Sequence, residues 1–580
     1  MATSQKDMMV LAKILSRADA PRGILGRLIA TYGASKALSV FKKAPFKILR
    51  ELGGVSIDVA DRAAVSVKCS LRDRIQGHAE WALASKSMTL SMLVAKLRFS
   101  LELPDSTVRN MMTKILHDGD LVQVEASIVT KELYEKNVYV ASQIRLRSGE
   151  FRNPSIAAAI KTIQGVTDDQ QCALRNVVYH KLSIITGGPG TGKSHIIREL
   201  VSNYPNSRVT APTGRAARNA SGKTVHYFKT IQETGNNEFA GVDLIVVDEA
   251  SMLSTMLFWN VLQMASSNAH IVLVGDVDQL PPIDSGDVLH DLIESGLVPT
   301  TTLQTNHRCS QPIQECAKAV LEGRVHLPET PGLQVINCDT FDEVIEKIPT
   351  LDVLENIDTF DASAILTPHN ATRISLNKAV QLWRWTNDEP VDVSLVTPFP
   401  DAPVGTLGSA MATEDNKICV HAAGDTEFTA SLPAAIKMIK MRERTFGSVK
   451  AEADCVLATG DKVIVTKNTS DACNGDMATF IFNRTITTDG DNRIDIPMIS
   501  DTDPGMTLAY AVTVHKAQGS EFDRVLLPIT NTAAWDRSLL YTALTRARHN
   551  VVLLGTREDF ERIIMTVRPR RSSILRALLQ

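Results

Sequence analysis

The stretch GGPGTGKS at residues 187–194 constrains the fold more than any other part of this 580-residue chain. It follows the apolar run Leu182–Ile185, and HIIREL after it suits a helix, so the pattern predicts strand, glycine-rich loop and helix. Glycines let backbone N–H groups converge on phosphate oxygens at a helix N-terminus. The sequence therefore predicts an α/β nucleotide-binding fold, with a chance glycine-rich turn as the alternative.

The chemistry of nucleotide hydrolysis is expected at this loop and at LIVVDEASM, residues 244–252. Lys193 is expected to reach the β- and γ-phosphates of the nucleotide, and Ser194 and Asp248 to hold Mg²⁺. Glu249 is placed to polarise the attacking water, although acidic residues also end strands for purely structural reasons. The predicted nucleotide-binding residues of the loop are Gly187, Gly188, Pro189, Gly190, Thr191, Gly192, Lys193 and Ser194.

Apolar strands that end in polar residues recur on both sides of residue 310. Two such stretches are RVTAPTGRAARNA (208–220) and HIVLVGDVDQLPPI (270–283). Two more, SAILTPHNATRISLN (363–377) and LLYTALTRARHNVVLLG (539–555), come later. Strands alternating with helices predict two α/β units that face each other across a cleft. The second unit can then supply arginines to the γ-phosphate.

Composition excludes little beyond membrane and secreted classes. Hydrophobic residues make up 44% of the chain and charged residues 22%, and the net charge of −3 requires any nucleic-acid surface to be a local feature. The eight cysteines form no C-x-x-C pair, which is typical of reduced thiols in a cytosolic protein. We find no secretory signal and no apolar run of roughly 18 residues.

The motifs together resemble those of superfamily 1 helicases, within the RecD-like 5′→3′ branch. They are TDDQQCA, GGPGTGKS, APTGRAA, VVDEASM, GDVDQLPP, NHR, TVHKAQGSEFD and YTALTRAR, in the family's order between residues 165 and 555. The resemblance implies two RecA-like P-loop NTPase domains and an ATP-dependent DNA helicase that moves 5′→3′ on single-stranded DNA. It also implies a role in DNA replication, repair or recombination.

The resemblance assigns roles to further residues of this chain. Gln170 would read the adenine, Gln279 would sense the γ-phosphate from the first domain, and Gly519 would lie near the nucleotide. Arg308 and Arg546 would reach the γ-phosphate from the second domain, where the alternative is an ordinary surface salt bridge. The expected nucleic-acid contacts are Thr213, His226, Phe239, Thr513 and His515, although threonines at strand ends are commonly caps.

The resemblance also divides the chain. Residues 1–150 would form a helical N-terminal region with helix-hairpin-helix and winged-helix-like parts, either binding DNA or serving as a scaffold. Residues 151–302 would form the first RecA-like domain, with a hairpin near 228–242 that is either a strand-splitting pin or a plain turn. The second RecA-like domain would comprise 303–383 and 500–580, around an insertion of 384–499 whose SH3-like small β-barrel covers 459–499.

The expected partners are single-stranded DNA and single-strand/duplex junctions, together with a single-strand-binding, replication or repair protein. No membrane association is expected, and the expected location is the cytoplasm of a bacterial or phage-infected cell. Three alternatives stay open: an RNA helicase of the same superfamily, an ATP-switched nucleic-acid-binding subunit, and a subunit of a helicase–nuclease complex. Glu249 argues against a pure switch, because a switch can dispense with a catalytic base.

Overall fold

The computed structural model describes residues 2–304, 311–348, 363–387 and 505–580 apart from single residues and pairs. Between 388 and 504 it describes separate short stretches. Residues 305–310, which contain the NHR motif and its Arg308, lie outside the described residues. Among the described helices, none is both long and apolar enough to cross a membrane.

The N-terminal region is mainly helical. Five helices, Ala2–Arg17, Ile24–Tyr32, Ala37–Lys43, Pro45–Leu52 and Ile57–Ser66, pack around one apolar core. After them come the helix Leu71–Ala82, strand β1 (Met88–Thr89), the helices Leu90–Leu101 and Asp105–His117, and strands β2 (Leu121–Val124) and β3 (Ser127–Thr130). The three strands form an antiparallel sheet in the order β1-β3-β2. The helix-hairpin-helix assignment of this region stays a prediction.

A six-stranded parallel sheet forms the first α/β unit. Its strands are β4 (Leu182–Gly187), β5 (Ser207–Ala211), β6 (Lys223–Thr224), β7 (Leu244–Val247), β8 (His270–Gly275) and β9 (Thr300–Leu303), in the order β6-β5-β7-β8-β4-β9. Every residue of β4, β7 and β8 is buried, as expected for strands covered on both faces by helices. The helices are Lys131–Arg147, Pro154–Ile160, Asp168–Tyr179, Lys193–Asn203, Gly214–Asn219, Val225–Glu233, Thr255–Met264 and Val288–Ser295, with a 3₁₀ turn at Ala250–Met252.

The second α/β unit contains a five-stranded parallel sheet with two antiparallel sheets inserted into it. Its strands begin with β10 (Leu333–Ile336), β11 (Ser363–Thr367), β12 (Val391–Leu395), β13 (Leu407–Ala412), β14 (Lys417–Ala422), β15 (Thr426–Ser431), β16 (Val456–Ala458) and β17 (Lys462–Val465). The remaining strands are β18 (Met477–Phe482), β19 (Thr485–Thr487), β20 (Arg493–Asp495), β21 (Met506–Leu508), β22 (Ala511–Thr513), β23 (Phe522–Pro528) and β24 (Ala547–Leu554). The helices are Gln311–Leu321, Phe341–Lys347, Asn370–Asn387, Arg537–Leu544 and Arg557–Met565, with a 3₁₀ turn at Thr532–Ala534. The helix Ile574–Leu579 follows them in the chain.

The parallel sheet of the second unit has the order β10-β24-β23-β11-β22. The two antiparallel sheets, β15-β14-β13-β12-β16 and β20-β19-β18-β17-β21, lie between β11 and β22 in the chain, where the insertion was expected. Their short antiparallel strands do not by themselves establish an SH3-like barrel, so that assignment stays a prediction. The two parallel sheets confirm the predicted α/β class with two RecA-like domains.

The helix Lys131–Arg147, which lies before the predicted start of the first RecA-like domain at residue 151, packs against that domain. Helix Lys131–Arg147 contributes Val140 and Ile144 to the same core as the helix Thr255–Met264. At its C-terminal end, the buried Arg147 guanidinium donates to the carbonyl oxygens of Ser266 (2.8 Å) and Ala269 (2.9 Å). This helix thus buries apolar residues against the first domain, and the winged-helix-like assignment within residues 1–150 stays a prediction.

The last helix of the chain also packs against the first domain. The helix Ile574–Leu579 places Leu575 and Leu579 in the core of the first RecA-like domain, beside Val140 and Ile144. An apolar pair at this spacing needs a groove to cover it, and the first domain provides that groove. This helix, which belongs to the predicted second domain by sequence, therefore packs against the first domain, and the bounds of 500–580 stay a prediction.

The hairpin predicted near 228–242 is replaced by the helix Val225–Glu233 followed by turns, and no strand occurs in the described part of that segment. Phe239 is fully buried in the core of the first domain, and its ring packs edge-on against Phe228 with centroids 4.6 Å apart. The ring is therefore not accessible to a base. The sequence alone could not separate an exposed aromatic residue from one that anchors a loop to the core.

Candidate nucleotide site and nucleic-acid surface

The glycine-rich loop joins β4 to the helix Lys193–Asn203 through backbone shapes that require glycine. Gly190 and Gly192 have φ angles of 77° and 87°, in the left-handed region. A Cβ atom on Gly192 would lie 2.5 Å from the Nε2 of Gln170, and one on Gly187 would lie 2.7 Å from the carbonyl oxygen of Leu303. The loop is therefore packed tightly between its neighbours, with its backbone turned into the start of a helix.

The Lys193 side chain lies inside this loop. Its ammonium donates to the carbonyl oxygens of Gly187 (2.6 Å) and Gly188 (2.8 Å). Burial lowers the pKa of Lys193, whereas the carboxylates of Asp276, Glu249 and Asp248 act in the opposite direction. Lys193 follows β4, Asp248 and Glu249 follow β7, and Asp276 follows β8. The structure thus places the lysine and these three carboxylates near one another at the ends of three strands.

Asp248 and Glu249 follow β7, the strand that pairs with β5 and β8. The N–H of Asp248 donates to the carbonyl of Thr210 on β5 at 2.9 Å, and the N–H of Glu249 donates to the Asp248 carboxylate at 2.9 Å. Burial and the adjacent Glu249 raise the pKa of Asp248. A cation at this point would relieve the repulsion between the two carboxylates.

The residues present fit Mg²⁺. The Ser194 hydroxyl and the Asp248 carboxylate are hard oxygen donors, and Mg²⁺ typically takes one or two carboxylates and completes its shell with phosphate oxygens and water. Within the described part of the chain, no group of three or more His, Cys, Asp or Glu side chains is arranged to hold a metal.

Asp276, directly after β8, receives a hydrogen bond from the second domain. It is 1% exposed, and the Tyr541 hydroxyl of the helix Arg537–Leu544 donates to its Oδ2 at 2.9 Å. Within the first domain, the N–H of Asp278 (3.0 Å) and the Nε2 of Gln279 (3.3 Å) also donate to this carboxylate. Sequence reasoning named Gln279 but missed Asp276 and Tyr541, although both lie inside the quoted motifs.

The polar loop after β22 lies against the first domain. The Nε2 of Gln518 donates to the carbonyl of Leu280 at 3.4 Å, and the Nδ2 of Asn219 donates to the carbonyl of Gly519 at 3.0 Å. Gly519 has a φ of 74°, and a Cβ on it would meet Ala216 at 3.4 Å. Gly519 thus lies at the helix Gly214–Asn219, and its predicted place beside the nucleotide stays a prediction.

Arg546 belongs to the second domain and is 4% exposed. Its guanidinium donates to the carbonyls of Thr542 (3.1 Å) and Ser520 (3.4 Å), and none of the described carboxylates forms an ion pair with it. After burial, the nearby Arg546 charge also lowers the pKa of Lys193. A buried cation near the phosphate loop, bonded to neutral oxygens, is suited to receive an anion.

A cavity of about 250 Å³ opens beside the loop. Pro189 and Leu303 line it from the first domain, and Ile313 and Tyr541 from the second. Gln170 is buried beside Gly192 of the loop, and its Oε1 accepts from the N–H of Thr167 at 3.2 Å and caps the helix Asp168–Tyr179. The adenine-reading role of Gln170 stays a prediction.

The remaining nucleic-acid candidates are two threonines that cap helical turns and two histidines. Thr213 accepts from the N–H of Ala216 at 3.3 Å, and Thr513 accepts from the N–H of Lys516 at 3.3 Å, so both cap helical turns. His226 is exposed on its helix. His515 is partly buried, and that burial lowers its pKa.

Comparison with known proteins gives matches in both domains. Residues 165–332 match the AAA domain family, and residues 508–554 match the UvrD-like helicase C-terminal domain family. The ATP-dependent RecD2 DNA helicase of Deinococcus radiodurans is 27% identical over 446 residues, covering 73% of this chain and 54% of that protein. The match thus spans about half the length of that relative.

The RecBCD enzyme subunit RecD of Mycolicibacterium smegmatis is 25% identical over 465 residues, covering 68% of this chain and 71% of that protein. Among solved structures, the Pif1 helicase of Candida albicans is 16% identical, with 69% of this chain and 98% of that chain covered. Its TM-score of 0.40 is too low to support an argument. The sequence matches agree with the motifs and the two parallel sheets: the chain is similar to the RecD2 DNA helicase and to RecD subunits.

Proposed function

We propose that this protein is an ATP-dependent DNA helicase that moves 5′→3′ along single-stranded DNA. The observation that carries the proposal is the cleft itself. Lys193 and the carboxylates of Asp248 and Glu249 belong to the first domain. From the second domain, Tyr541 donates to Asp276, and Thr545, next to the buried Arg546, lines the cavity beside the phosphate loop. A nucleotide bound there would contact both domains at once.

Each residue has a role in this proposal. Lys193 would leave the loop carbonyls for the β- and γ-phosphates, and Ser194 and Asp248 would hold Mg²⁺, which neutralises charge on the phosphates when bound. Glu249 would accept a proton from the attacking water. Arg546 would stabilise negative charge that develops on the γ-phosphate, as arginines supplied across a cleft do in related reactions.

Coupling to a nucleic-acid strand would use the loop after β22. Gln518 and Gly519 contact the first domain, and Thr513 and His515 lie at the start of the same loop. Closing the cleft on ATP would therefore shift a loop that holds candidate strand contacts. Different affinities for the strand in the two states of the cleft would convert hydrolysis into movement.

The substrate is inferred from the relatives, and the polarity from the resemblance of the motifs to the RecD-like branch. The Deinococcus radiodurans protein is described as an ATP-dependent DNA helicase, and the RecD proteins are described as subunits of the RecBCD enzyme. We infer DNA as the substrate and single-strand/duplex junctions as the binding target. A single-strand-binding protein or a replication or repair protein would be the partner, with DNA repair or recombination as the setting.

The test is unwinding of two DNA duplexes, one with a 5′ single-stranded tail and one with a 3′ tail. The proposal expects ATP-dependent opening of the 5′-tailed duplex alone. Opening of the 3′-tailed duplex alone would refute the polarity but keep the helicase. An RNA duplex with a 5′ tail belongs in the same assay, and its preferential opening would refute the DNA assignment.

Lys193→Ala is the matched control, because it removes the ammonium without touching the second domain. This variant should lose ATP turnover and unwinding while it keeps the unfolding temperature of the wild type. Normal turnover in Lys193→Ala would refute the assignment of the phosphate loop.

A further inference from the structure

The C-terminal tail returns from the second RecA-like domain to the first. It leaves the helix Arg557–Met565 and ends in the helix Ile574–Leu579, which is buried in the core of the first domain. Near its end, Arg576 forms an ion pair with the buried Asp291 at 3.4 Å. The tail is thus covalently continuous with the second domain and packed non-covalently into the first.

Arg570 on this tail contacts the segment that holds Gln279. One guanidinium nitrogen forms an ion pair with the Asp287 carboxylate at 2.6 Å, and another donates to the carbonyl oxygen of Val277. Val277 and Asp287 are the first and last residues of the loop that follows Asp276 and leads into the helix Val288–Ser295. One side chain therefore holds both ends of the loop.

The same loop is held from its other side by the second domain. The N–H of Leu280 donates to the Oγ1 of Thr542 at 3.1 Å, and the Nε2 of Gln518 donates to the carbonyl of Leu280 at 3.4 Å. Arg570 belongs to the chain segment that continues from the second domain. The loop around Gln279 is therefore fixed between two parts of that domain and not by its own domain alone.

We propose that Arg570 is a positioning residue for ATP hydrolysis, acting through the loop 276–287. It holds the loop so that Gln279 and Asp276 keep their places at the cleft, and it joins that loop to the movement of the second domain. The inference rests on the proposed ATP hydrolysis. A planar guanidinium with several donors can bind Asp287 and Val277 together, whereas a lysine ammonium is a single point charge.

The experiment measures kcat and KM for ATP hydrolysis by the full chain with single-stranded DNA. For Arg570→Ala we expect kcat to fall by roughly ten- to a hundredfold, the usual cost of a small misplacement remote from the reacting atoms. The KM for ATP should change by less than about threefold, since the phosphate loop keeps its contacts. Arg570→Lys should recover part of kcat, because it restores the charge but not both contacts.

Arg576→Ala is the matched control, since it weakens the same tail at Asp291 without touching the loop. A loss of kcat in Arg570→Ala but not in Arg576→Ala supports the positioning role. Equal losses in the two variants would mean that only attachment of the tail matters, and unchanged kcat in Arg570→Ala would mean that the contact is idle; either result overturns the proposal.

If Arg570→Ala does not fold, Asp287→Asn takes its place. It removes the carboxylate that anchors Arg570 and leaves the Val277 carbonyl, so it should lower kcat in the same direction by a smaller factor. Unchanged kcat in this variant also overturns the proposal. A wild-type protein without ATP turnover would refute the proposed function, and the role of Arg570 with it, whereas a normal wild type with a normal Arg570→Ala refutes only the role of Arg570.

Discussion

Tyr541→Phe removes one oxygen atom and with it the hydrogen bond that joins the two domains at Asp276. The ring is almost fully buried, so phenylalanine should occupy the same space. The lost bond goes to a carboxylate that is 1% exposed and keeps only its contacts with Asp278 and Gln279. Hydrogen bonds to charged groups contribute about 1.5–3 kcal/mol, so the closed cleft should lose roughly that free energy.

A loss of this size corresponds to about a ten- to 150-fold change in the ratio of closed to open cleft, since 1.4 kcal/mol is about tenfold. If only the closed form hydrolyses ATP, kcat/KM should fall by a similar factor. The assay is steady-state ATP hydrolysis with single-stranded DNA. The wild type and the variant should have similar unfolding temperatures, because the bond joins two domains rather than holding one together.

Tyr510→Phe is the matched control. Tyr510 is equally buried and also donates to a buried aspartate, Asp461, at 2.7 Å, but both residues belong to the second domain. This variant should lower thermal stability and leave kcat/KM close to that of the wild type. If Tyr541→Phe keeps kcat/KM within twofold of the wild type, the bond to Asp276 does not limit closure and the reasoning fails.

Three further predictions concern single groups. Arg546→Ala should still bind ATP but hydrolyse it roughly a thousandfold more slowly, since an arginine at the γ-phosphate acts mainly in the transition state; equal kcat values would remove the cleft model's main support. Burial raises the pKa of Asp291 to about 6 from 3.8, so its contribution to stability is complete below pH 3.8 and is lost as the pH rises through 6. The stability of Asp291→Asn relative to the wild type should therefore rise by about 1.4 kcal/mol between pH 5 and pH 7.5, since roughly half of the full effect is already present at pH 5. Equal differences in unfolding temperature at both pH values would contradict this. In the native protein iodoacetamide should modify the exposed Cys172 well before the buried Cys316, because burial raises the pKa of Cys316 to about 12. Mass spectrometry measures the order of modification, and the reverse order would contradict the burial of Cys316.

The sequence by itself determined the elements and the chemistry of the phosphate loop. Glycine spacing, a buried apolar strand and a following helix are local signals, and each is complete within about 20 residues. The same holds for the carboxylates after β7, because the strand that places them is a short apolar run. The repetition of such strands on both sides of residue 310 predicted two α/β units, and the resemblance of the motifs implied that they are RecA-like.

Tertiary structure decided which of these elements meet. The side chains of Tyr541 and Asp276 are 265 positions apart in the chain, and nothing in either motif states that they bond. The sequence shows that Leu575 and Leu579 are apolar, but only their packing shows that they belong to the core of the first domain. Phe239 differs from an exposed stacking residue only in being covered by its neighbours. Local sequence specifies strands, helices and turns, whereas burial and contact depend on surfaces brought together from distant parts of the chain.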